Sequence, residues 1–509
     1  MQEFDFLVVG SGSGLDVANA AVNQGQSVAV VEKGRLGGTC LSRGCIPSKM
    51  LLYHADVLET IESADEFGID ATVDDVDFAG IVREVNEDVK ADAESIRRGL
   101  RSSSDHALFE AEGRFVDDRT LEISGGEDDG ERLRADTILI AAGTRPTIPP
   151  IEGIQDVEYL TSTEALRLER PPEHLVIVGG GYVAAELGHF FDTFGSDVTI
   201  VGRRPLLLPE ADDEVAEAFT DRFDDRFTVY TGHEATAVSA SDGQITVEAK
   251  PYEYGDGLLE DAQPVTATGD ALLVAAGRRP NTDTLNLEAT GVETDARGFV
   301  ETDKYLRTAA EGVWALGDIV GEFLLKHSAN HEAQAVARNL FGDELQPVDY
   351  DAMPFAVFTS PEVAGVGARE ADLRDDGREY ATNTYRYEDT ARGAAMKAEG
   401  FVKVLIDLEG TILGCHIVGP DASTLIQEVV VAMKSGSGTV QDVRSAVHVH
   451  PALPEVVQRA FAGQFARGDS HDHDAQSDHH HGHGDDHRDD HQDDHGDDHQ
   501  DDHDSDHQH

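Results

Sequence analysis

The stretch FDFLVVGSGSG at 4–14 decides the fold class of this 509-residue chain. An apolar run meets a glycine-rich turn, a helical segment follows at 16–24, and the next strand ends in Glu32. This order of strand, glycine turn, helix, strand and acid is typical of a dinucleotide-binding unit. The pattern returns as LVIVGGGYVAAELG at 175–188, followed by a strand at 197–201. Two copies with correct flanks predict an α/β protein with two dinucleotide sites.

Outside these two units the chain divides into further parts. Two buried strands, at 137–146 and 271–282, each end in Ala-Gly and an Arg-Pro turn. This predicts that the chain leaves both nucleotide-binding domains through similar segments. The stretch 50–104 has helical, amphipathic spacing. From residue 354 strands and helices alternate without a glycine fingerprint, which indicates a separate α+β domain. Near Gly468 the composition changes to Asp, His, Gln and Gly, so we expect the fold to end there.

The composition limits the partners and the compartment. The net charge is −59, and only 16 of the 99 acidic residues lie in the tail after Gly468. An acidic surface of this kind excludes nucleic acid as a partner. It suits a protein that lives in high salt, where screening weakens self-repulsion. No apolar stretch is long enough for a membrane span, and the acidic start, which runs straight into a strand, is unlike a signal peptide. We therefore predict a cytoplasmic protein without a membrane partner.

Two of the three cysteines, Cys40 and Cys45, lie in GGTCLSRGCIPSK at 37–49. Three cysteines cannot form a secreted disulfide framework, and a four-residue gap without a second pair does not fit a zinc site. A helix that begins after Pro47 would place Cys45 near a helix N-terminus, which favours the thiolate that attacks disulfides. The pair is predicted to be redox-active. Cys415, in an apolar strand, is expected to be a buried core thiol.

GGTCLSRGCIPSK resembles the redox motif of the pyridine nucleotide–disulfide oxidoreductases, the FAD-containing family of glutathione reductase and dihydrolipoamide dehydrogenase. The resemblance extends over residues 1–466, with at least six motifs in the family's order. It implies that Cys45 faces the flavin as the charge-transfer thiol and that Cys40 attacks the substrate. Lys49 and Glu186 resemble the pair beside the flavin ring.

The resemblance also implies two cofactors, FAD at the first fingerprint and a nicotinamide dinucleotide at the second. The glycines of each fingerprint would hold a pyrophosphate, Glu32 the adenosine ribose of FAD, and Asp318, in WALGD, the ribityl side of the flavin. Tyr182 would cover the flavin until the nicotinamide enters. The predicted cofactor-binding residues are Gly10, Gly12, Gly14, Glu32, Gly143, Asp318, Gly179, Gly181, Ala184, Tyr182, Arg203, Arg204 and Gly277.

The choice of nicotinamide is indicated by the residues after the strand at 198–201. An NAD enzyme places an acid there on the ribose hydroxyl, but this chain has Gly202, Arg203 and Arg204. Without the acid nothing repels a 2′-phosphate, and two guanidiniums can hold it. The sequence therefore predicts NADPH over NADH. A simple surface role for the two arginines is the alternative.

His450 and Glu455, in HVHPALPE, resemble the acid–base dyad that the partner subunit supplies in this family. An imidazole titrates near neutrality, and a carboxylate fixes its orientation. The resemblance therefore implies a homodimer.

One departure from the family pattern is Leu15, which replaces the third glycine of the first fingerprint. Either the first helix is slightly displaced from the strand, or Gly14 compensates by permitting the close packing of helix and strand. Leu15 and the HPALPE ending both resemble mycothione reductases.

Together these observations predict an α/β architecture with two Rossmann-like dinucleotide-binding domains, for FAD and NADPH, plus a C-terminal α+β dimerisation domain and a disordered tail. The predicted boundaries are 1–150 for the FAD-binding domain with the redox disulfide, 151–275 for the NADPH-binding domain, 276–345 for the second part of the FAD/central domain, 346–466 for the dimerisation domain and 467–509 for the tail.

Histidines recur every four residues in the tail. On a helix they would share one face, and neutral imidazoles bind Zn, Ni, Co or Cu. Runs of Asp, however, are poor helix formers and repel each other. The sequence therefore leaves two alternatives for this segment, a divalent-metal site and a disordered acidic tail. The candidate ligands are His483, His487, His491, His495, His499, His503 and His507.

The expected function is NADPH-dependent reduction of a small disulfide through FAD and the Cys40–Cys45 pair. Features of mycothione reductases in a salt-adapted chain favour bis-γ-glutamylcystine, the disulfide of the γ-glutamylcysteine used by halophilic archaea. The alternative is an NAD-linked dihydrolipoamide dehydrogenase. A mercuric reductase would need a second cysteine pair near the C-terminus, and none follows Cys415. The remaining alternative function is that of a metal-binding protein that acts through its His-rich tail.

Overall fold

The first sheet forms around the strand that the sequence singles out. The structure, a computed structural model, describes residues 1–259 and 262–468. The elements of its first part are β1 (Gln2–Val9), α1 (Gly14–Asn23), β2 (Val28–Val31), α2 (Gly38–Arg43), α3 (Cys45–Glu62), α4 (Phe78–Ser102), β3 (His106–Phe109), β4 (Glu112–Asp117), β5 (Thr120–Ser124), β6 (Arg132–Ile140) and β7 (Thr144–Pro146). The strand order is β3-β2-β1-β6-β5-β4, and β3, β2, β1 and β6 run parallel. Residues 6–9 of β1 are buried, as a parallel strand covered on both faces requires.

Gly14 explains how the first fingerprint works without its third glycine. A Cβ at this position, the first residue of α1, would lie 2.8 Å from Val8 Cγ1 and 2.9 Å from Ala141 Cβ. Only glycine permits this close approach of helix and strand. Leu15 is half-buried beside it. Of the two alternatives, the structure therefore favours compensation by Gly14.

The second part repeats the parallel arrangement. Its elements are α5 (Ser162–Ala165), β8 (His174–Val178), α6 (Tyr182–Thr193), β9 (Asp197–Val201), α7 (Asp213–Asp224), β10 (Thr228–Tyr230), β11 (His233–Ser241), β12 (Gln244–Glu253), β13 (Gly257–Leu258), β14 (Val265–Gly269), β15 (Ala271–Val274) and β16 (Arg278–Pro280). The order β10-β9-β8-β15 is parallel throughout. β7 and β16, which contain the two similar Arg-Pro segments, contact each other directly and pair antiparallel.

The chain then returns to the first sheet. Strand β17 (Val313–Ala315) pairs parallel with β6, and α8 (Lys326–Phe341) follows. Because β17 lies beside β6, the WALGD motif is brought to the end of the sheet where the first glycine turn lies. WALGD and the first fingerprint therefore meet in space although some 300 residues separate them.

The last part is an antiparallel sheet with helices, as the sequence predicts. Its elements are β18 (Pro354–Val357), β19 (Val363–Gly367), α9 (Glu370–Asp375), β20 (Ala381–Arg386), α10 (Ala391–Met396), β21 (Phe401–Ile406), β22 (Ile412–Val418), α11 (Ala422–Ser435), α12 (Val440–Arg444), α13 (Pro454–Ala462) and β23 (Ala466–Arg467). The strand order is β18-β19-β22-β21-β20-β23. Cys415 on β22 is fully buried, which confirms its predicted place in the core.

A buried ion cluster joins this sheet to the second part of the chain. Lys403 on β21 is only 1% exposed, and its Nζ lies 2.9 Å from Asp212 Oδ1 and 3.0 Å from Glu214 Oε1, with Glu370 as a third partner. Asp212 is also fully buried. Buried charges are tolerated only when they are paired in this way. None of the helices in the described part of the chain is both long and apolar enough to cross a bilayer.

Candidate active site

The two cysteines of the redox motif lie on consecutive helices. Cys40 is on the short helix α2, and Cys45 is the first residue of α3, so this helix begins three residues earlier than the sequence predicted. The Cys40 thiol donates a hydrogen bond to Cys45; this bond first, and then the charge of Lys49, lowers the pKa of the Cys45 thiol to about 6. The same hydrogen bond, together with burial, raises the pKa of Cys40. Cys45 is therefore the thiolate of the reduced pair.

Both thiols line one cavity, whose wall includes the first glycine turn and the start of α6. Its wall brings together most of the residues that the sequence predicted for catalysis and for FAD. The predicted residues that line it are Gly10, Gly12, Glu32, Cys40, Cys45, Lys49, Gly143, Tyr182, Glu186 and Asp318. The predicted residues that lie elsewhere are Gly14, Gly179, Gly181, Ala184, Arg203, Arg204, Gly277, His450 and Glu455.

The first glycine turn has the geometry of a pyrophosphate cradle. Gly10 has φ +106°, and a Cβ there would lie 2.3 Å from Ala141 O. A Cβ on Gly12 would meet nothing within 4 Å, so this glycine faces open space at the N-terminal end of α1. Helix N-termini with exposed backbone bind anions. Glu32 fixes the turn, since Ser11 N donates to its Oε2 at 2.9 Å and Gly34 N to its Oε1 at 2.7 Å. These residues fit FAD.

Lys49 and Glu186 form a tight ion pair across the cavity. Lys49 Nζ lies 2.6 Å from Glu186 Oε2 and 2.7 Å from Oε1, and the Glu186 side chain is only 5% exposed. Phe358 N donates to the same carboxylate at 3.2 Å, while its ring centre lies 4.9 Å from Lys49 Nζ. The pair joins α3, which carries the thiolate, to α6 of the second fingerprint. It holds a cation next to Cys45.

Asp318 is held by partners that the sequence analysis missed. Thr144 Oγ1 donates to Asp318 Oδ2 at 2.7 Å, and Arg278 Nε donates to Thr144 Oγ1 at 2.8 Å. Next to Asp318 in the chain, Gly317 N donates to the buried carboxylate of Glu332, whose pKa is raised by burial. The only sequence signal for Thr144 and Arg278 was the similarity of the two Arg-Pro segments in which they lie.

The second fingerprint has the same cradle as the first. Gly179 has φ +140°, and a Cβ there would lie 2.2 Å from Ala275 O, whereas Gly181 faces open space where α6 begins. Ala184, one turn into the helix, is buried. Gly277 has φ +103° and accepts a hydrogen bond from Thr147 N at 2.9 Å. The turn therefore fits a second dinucleotide.

Arg203 and Arg204 follow β9 at the same edge of this sheet. Arg203 is exposed and Arg204 half-buried. Because the carboxyl ends of parallel strands carry the ligand in such sheets, both lie where the adenosine end of the nicotinamide dinucleotide would bind.

His450 and Glu455 form the predicted hydrogen-bonded pair, away from the cavity. His450 Nδ1 lies 2.8 Å from Glu455 Oε1, and Ala452 N donates to Glu455 Oε2 at 3.2 Å. The hydrogen bond from His450 lowers the pKa of Glu455. Glu455 is 9% exposed, whereas the imidazole is 70% exposed. His448 lies nearby but bonds Glu428 instead, at 2.9 Å.

Apolar residues around the dyad are left open to solvent. Val447 is 99% and Val449 73% exposed, on the segment that leads to His450. Large apolar side chains exposed together mark an interaction surface. The exposed imidazole and its apolar neighbours therefore lie on the surface of this chain and do not line its cavity.

Comparison with known proteins agrees with this geometry. Residues 4–336 match the family model described as pyridine nucleotide-disulphide oxidoreductase, and residues 353–461 match the dimerisation domain of the same family. The chain belongs to this family. It is 37% identical over 474 residues to the mycothione reductase of Mycobacterium tuberculosis, covering 91% of this chain and 100% of that protein. It is 36% identical over 469 residues to dihydrolipoyl dehydrogenase 3 of Haloarcula marismortui, covering 90% and 95%.

The solved structures point the same way. The Cu(II) complex of the HOCl-induced flavoprotein disulfide reductase RclA from Escherichia coli matches with a TM-score of 0.80 and 26% identity, covering 91% of this chain and 99% of that one. The chain is therefore an enzyme, a disulfide oxidoreductase and flavoprotein that acts on a disulfide substrate. The family uses FAD with NADH or NADPH, in agreement with the predicted cofactors FAD and NADPH. The dimerisation domain supports the predicted homodimer.

The metal prediction for the tail receives no support. The seven histidines predicted as ligands lie outside the described residues. Within residues 1–259 and 262–468, no three His, Cys, Asp or Glu side chains are grouped so that they could hold a metal ion.

Proposed function

We propose that this enzyme is an NADPH-dependent reductase of a low-molecular-weight disulfide, with bis-γ-glutamylcystine as its substrate. The observation that carries the proposal is the pair of thiols with opposite pKa shifts at the wall of the cavity, beside the Lys49–Glu186 pair. Such a pair can pass two electrons to an incoming disulfide, because one thiol can attack it once deprotonated while the other is already the thiolate that resolves the mixed disulfide. We propose the roles of all site residues on this basis.

Bound FAD supplies the electron transfer from NADPH that reduces the Cys40–Cys45 disulfide. Cys45 is then held as a thiolate by Lys49 and by the N-terminus of α3. Because the pKa of Cys40 is raised, Cys40 needs a base before it can attack. We assign this base to the partner subunit's His450, with Glu455 holding the imidazole in position.

The remaining steps balance in atoms and electrons. Cys40 sulfur attacks one sulfur of the substrate, which forms a mixed disulfide and expels the first thiolate. The partner subunit's His450 returns its proton to that leaving group. Cys45 thiolate then attacks Cys40 sulfur, re-forms the internal disulfide and expels the second thiolate. One NADPH and one solvent proton thus convert one disulfide into two thiols.

The choice of bis-γ-glutamylcystine has two supports. The similarity to mycothione reductase runs along the whole of that enzyme, which is itself named for reducing a small thiol's disulfide. The net charge of −59 suits a protein of a salt-adapted cell, where γ-glutamylcysteine serves as the thiol. Dihydrolipoamide dehydrogenase is the second candidate, favoured by relatives of that name at 36% identity. Gly202, in place of an acid, argues against its NAD-linked reaction.

A substrate panel tests the proposal. NADPH oxidation is measured in molar KCl with bis-γ-glutamylcystine, glutathione disulfide, mycothione, lipoamide and Hg(II), and with Cys40→Ser as the matched control. We expect kcat/KM to be highest for bis-γ-glutamylcystine, and no disulfide reduction by the variant. A highest kcat/KM for any other member of the panel would refute the assigned substrate. Full activity of Cys40→Ser would refute the mechanism.

A further inference from the structure

The two arginines after β9 have unequal surroundings. Arg203 Nη1 lies 3.4 Å from Glu234 Oε1 on β11, and its guanidinium carbon is 5.3 Å from the ring centre of Tyr252. The guanidinium carbon of Arg204 lies only 3.7 Å from the ring centre of Tyr254. Arg204 has no carboxylate partner among the residues that the structure describes. Arg203 thus faces a carboxylate, while Arg204 is stacked on an aromatic ring.

Backbone hydrogen bonds connect Arg204 to Tyr252 through Gly232. Gly232 N donates to Arg204 O at 2.8 Å, and Tyr252 N donates to Gly232 O at 2.7 Å. The residues around Gly232 therefore lie between the arginine segment and the end of β12. Tyr254 follows on the turn between β12 and β13, where the residue is 63% exposed. Tyr254 is therefore not held by burial in a core, and its ring contacts Arg204.

The arginine segment lies directly beside the second glycine turn. A Cβ on Gly202 would be 3.6 Å from Gly180 Cα, and Leu208 N donates to Gly180 O at 2.8 Å. The residues on either side of Arg203 and Arg204 therefore pack on the turn that would carry the pyrophosphate. An adenosine bound there places its ribose at the end of β9.

We propose that Tyr254 determines the specificity for NADPH by holding Arg204 flat, with the N–H edge of the guanidinium free for the 2′-phosphate. Arg204 is then the principal phosphate ligand, and Arg203, drawn toward Glu234, is the lesser one. This inference rests on the proposed NADPH preference. It adds to it a positioning residue, Tyr254, and an order between the two arginines.

The physical basis is the shape of the guanidinium group. Its donors lie in one plane and match a phosphate in a bidentate way, while its faces stack on aromatic rings. A ring against one face therefore leaves the donors available and restricts the side chain before the ligand arrives, which lowers the entropic cost of binding. The stack needs the aromatic ring of Tyr254 but not its hydroxyl. Phenylalanine at this position should therefore serve equally well.

Calorimetric titration of the FAD-loaded enzyme with 2′,5′-ADP and with 5′-AMP tests the proposal. We expect Arg204→Met to weaken 2′,5′-ADP binding about 10- to 100-fold, the range for a lost charge-assisted hydrogen bond, and Arg203→Met to weaken it less. Tyr254→Ala should weaken it about two- to fivefold, and Tyr254→Phe should restore the wild-type affinity. Glu234→Gln should strengthen binding, because it releases Arg203.

A matched control is Tyr305→Ala, which removes a ring 5.1 Å from the guanidinium of Arg307 in another part of the chain. It should leave the affinity for 2′,5′-ADP at the wild-type value, and no variant should alter the affinity for 5′-AMP. The inference is overturned if Tyr254→Ala binds 2′,5′-ADP as tightly as the wild type, or if Arg203→Met costs more than Arg204→Met. If the wild type itself binds 2′,5′-ADP no more tightly than 5′-AMP, the proposed NADPH preference fails instead.

Discussion

A hybrid dimer gives the sharpest test of the proposed division of labour between subunits. The His450 imidazole is 70% exposed and does not line the cavity of its own chain, so the account requires Cys40 of one subunit to work with the partner subunit's His450. Co-expression of a Cys40→Ser chain and a His450→Ala chain, each with a different affinity tag, allows the hybrid to be purified. Disulfide reduction with NADPH is then measured for the hybrid and for each homodimer.

The expected rates follow from counting complete sites. In the His450→Ala homodimer both sites lack the acid–base group, which lowers the rate by about 10²- to 10⁴-fold. The Cys40→Ser homodimer has no attacking sulfur and is inactive. The hybrid has one site with both groups and one with neither. It should therefore reach about half of the wild-type rate, far above either homodimer.

The reciprocal hybrid provides the control. When both substitutions are on one chain and the other is wild type, each site lacks one of the two groups. We expect this dimer to have about half the rate of the His450→Ala homodimer, because only one of its two sites keeps the attacking sulfur. Half of the wild-type rate in this control, with no recovery in the first hybrid, would show that Cys40 and His450 act within one subunit and would refute the reasoning.

Three further predictions concern single residues. In dithiol-reduced enzyme, alkylation of Cys45 by iodoacetamide should have its midpoint near its pKa of about 6 and decline below that pH, because protonation removes the thiolate. Lys49→Met should move the midpoint upward, as read by peptide mass spectrometry. Lys403→Met should lower the free energy of unfolding by about 3–5 kcal/mol in denaturant titrations, because it leaves carboxylates buried without their cation. Gly14→Ala should cost about 1–3 kcal/mol through overpacking, whereas Gly12→Ala, whose Cβ meets open space, should leave the folding free energy nearly unchanged and weaken FAD retention.

Local patterns predicted much of the fold and the core of the site. The strand–glycine–helix order of each fingerprint is a local signal, and it identified both parallel sheets. The redox motif likewise placed Cys40 and Cys45 together, although the helix begins at Cys45 itself and not after Pro47. The predicted domain boundaries, the substrate and the roles of the site residues stay predictions.

Contacts between distant segments could not be read from the sequence. Thr144 and Arg278 lie 134 residues apart, and only the pairing of β7 with β16 brings them together beside Asp318. Tyr252 on β12 and Tyr254 on the turn after it gave no sequence signal for a role next to the arginines after β9, because that contact depends on how distant segments pack. The sequence also left open whether the first helix is displaced or Gly14 permits its close packing on the strand. Only the packing distances around Gly14 decided between these alternatives.

The measurement that tests the central claim most directly compares the two reaction directions in one enzyme preparation. In molar KCl, kcat/KM is determined for NADPH with bis-γ-glutamylcystine and for NAD with dihydrolipoamide, and the thiols formed per NADPH are titrated. We predict that the first reaction has the higher kcat/KM and yields two thiols for each NADPH oxidised. A higher kcat/KM for dihydrolipoamide oxidation with NAD would contradict the account.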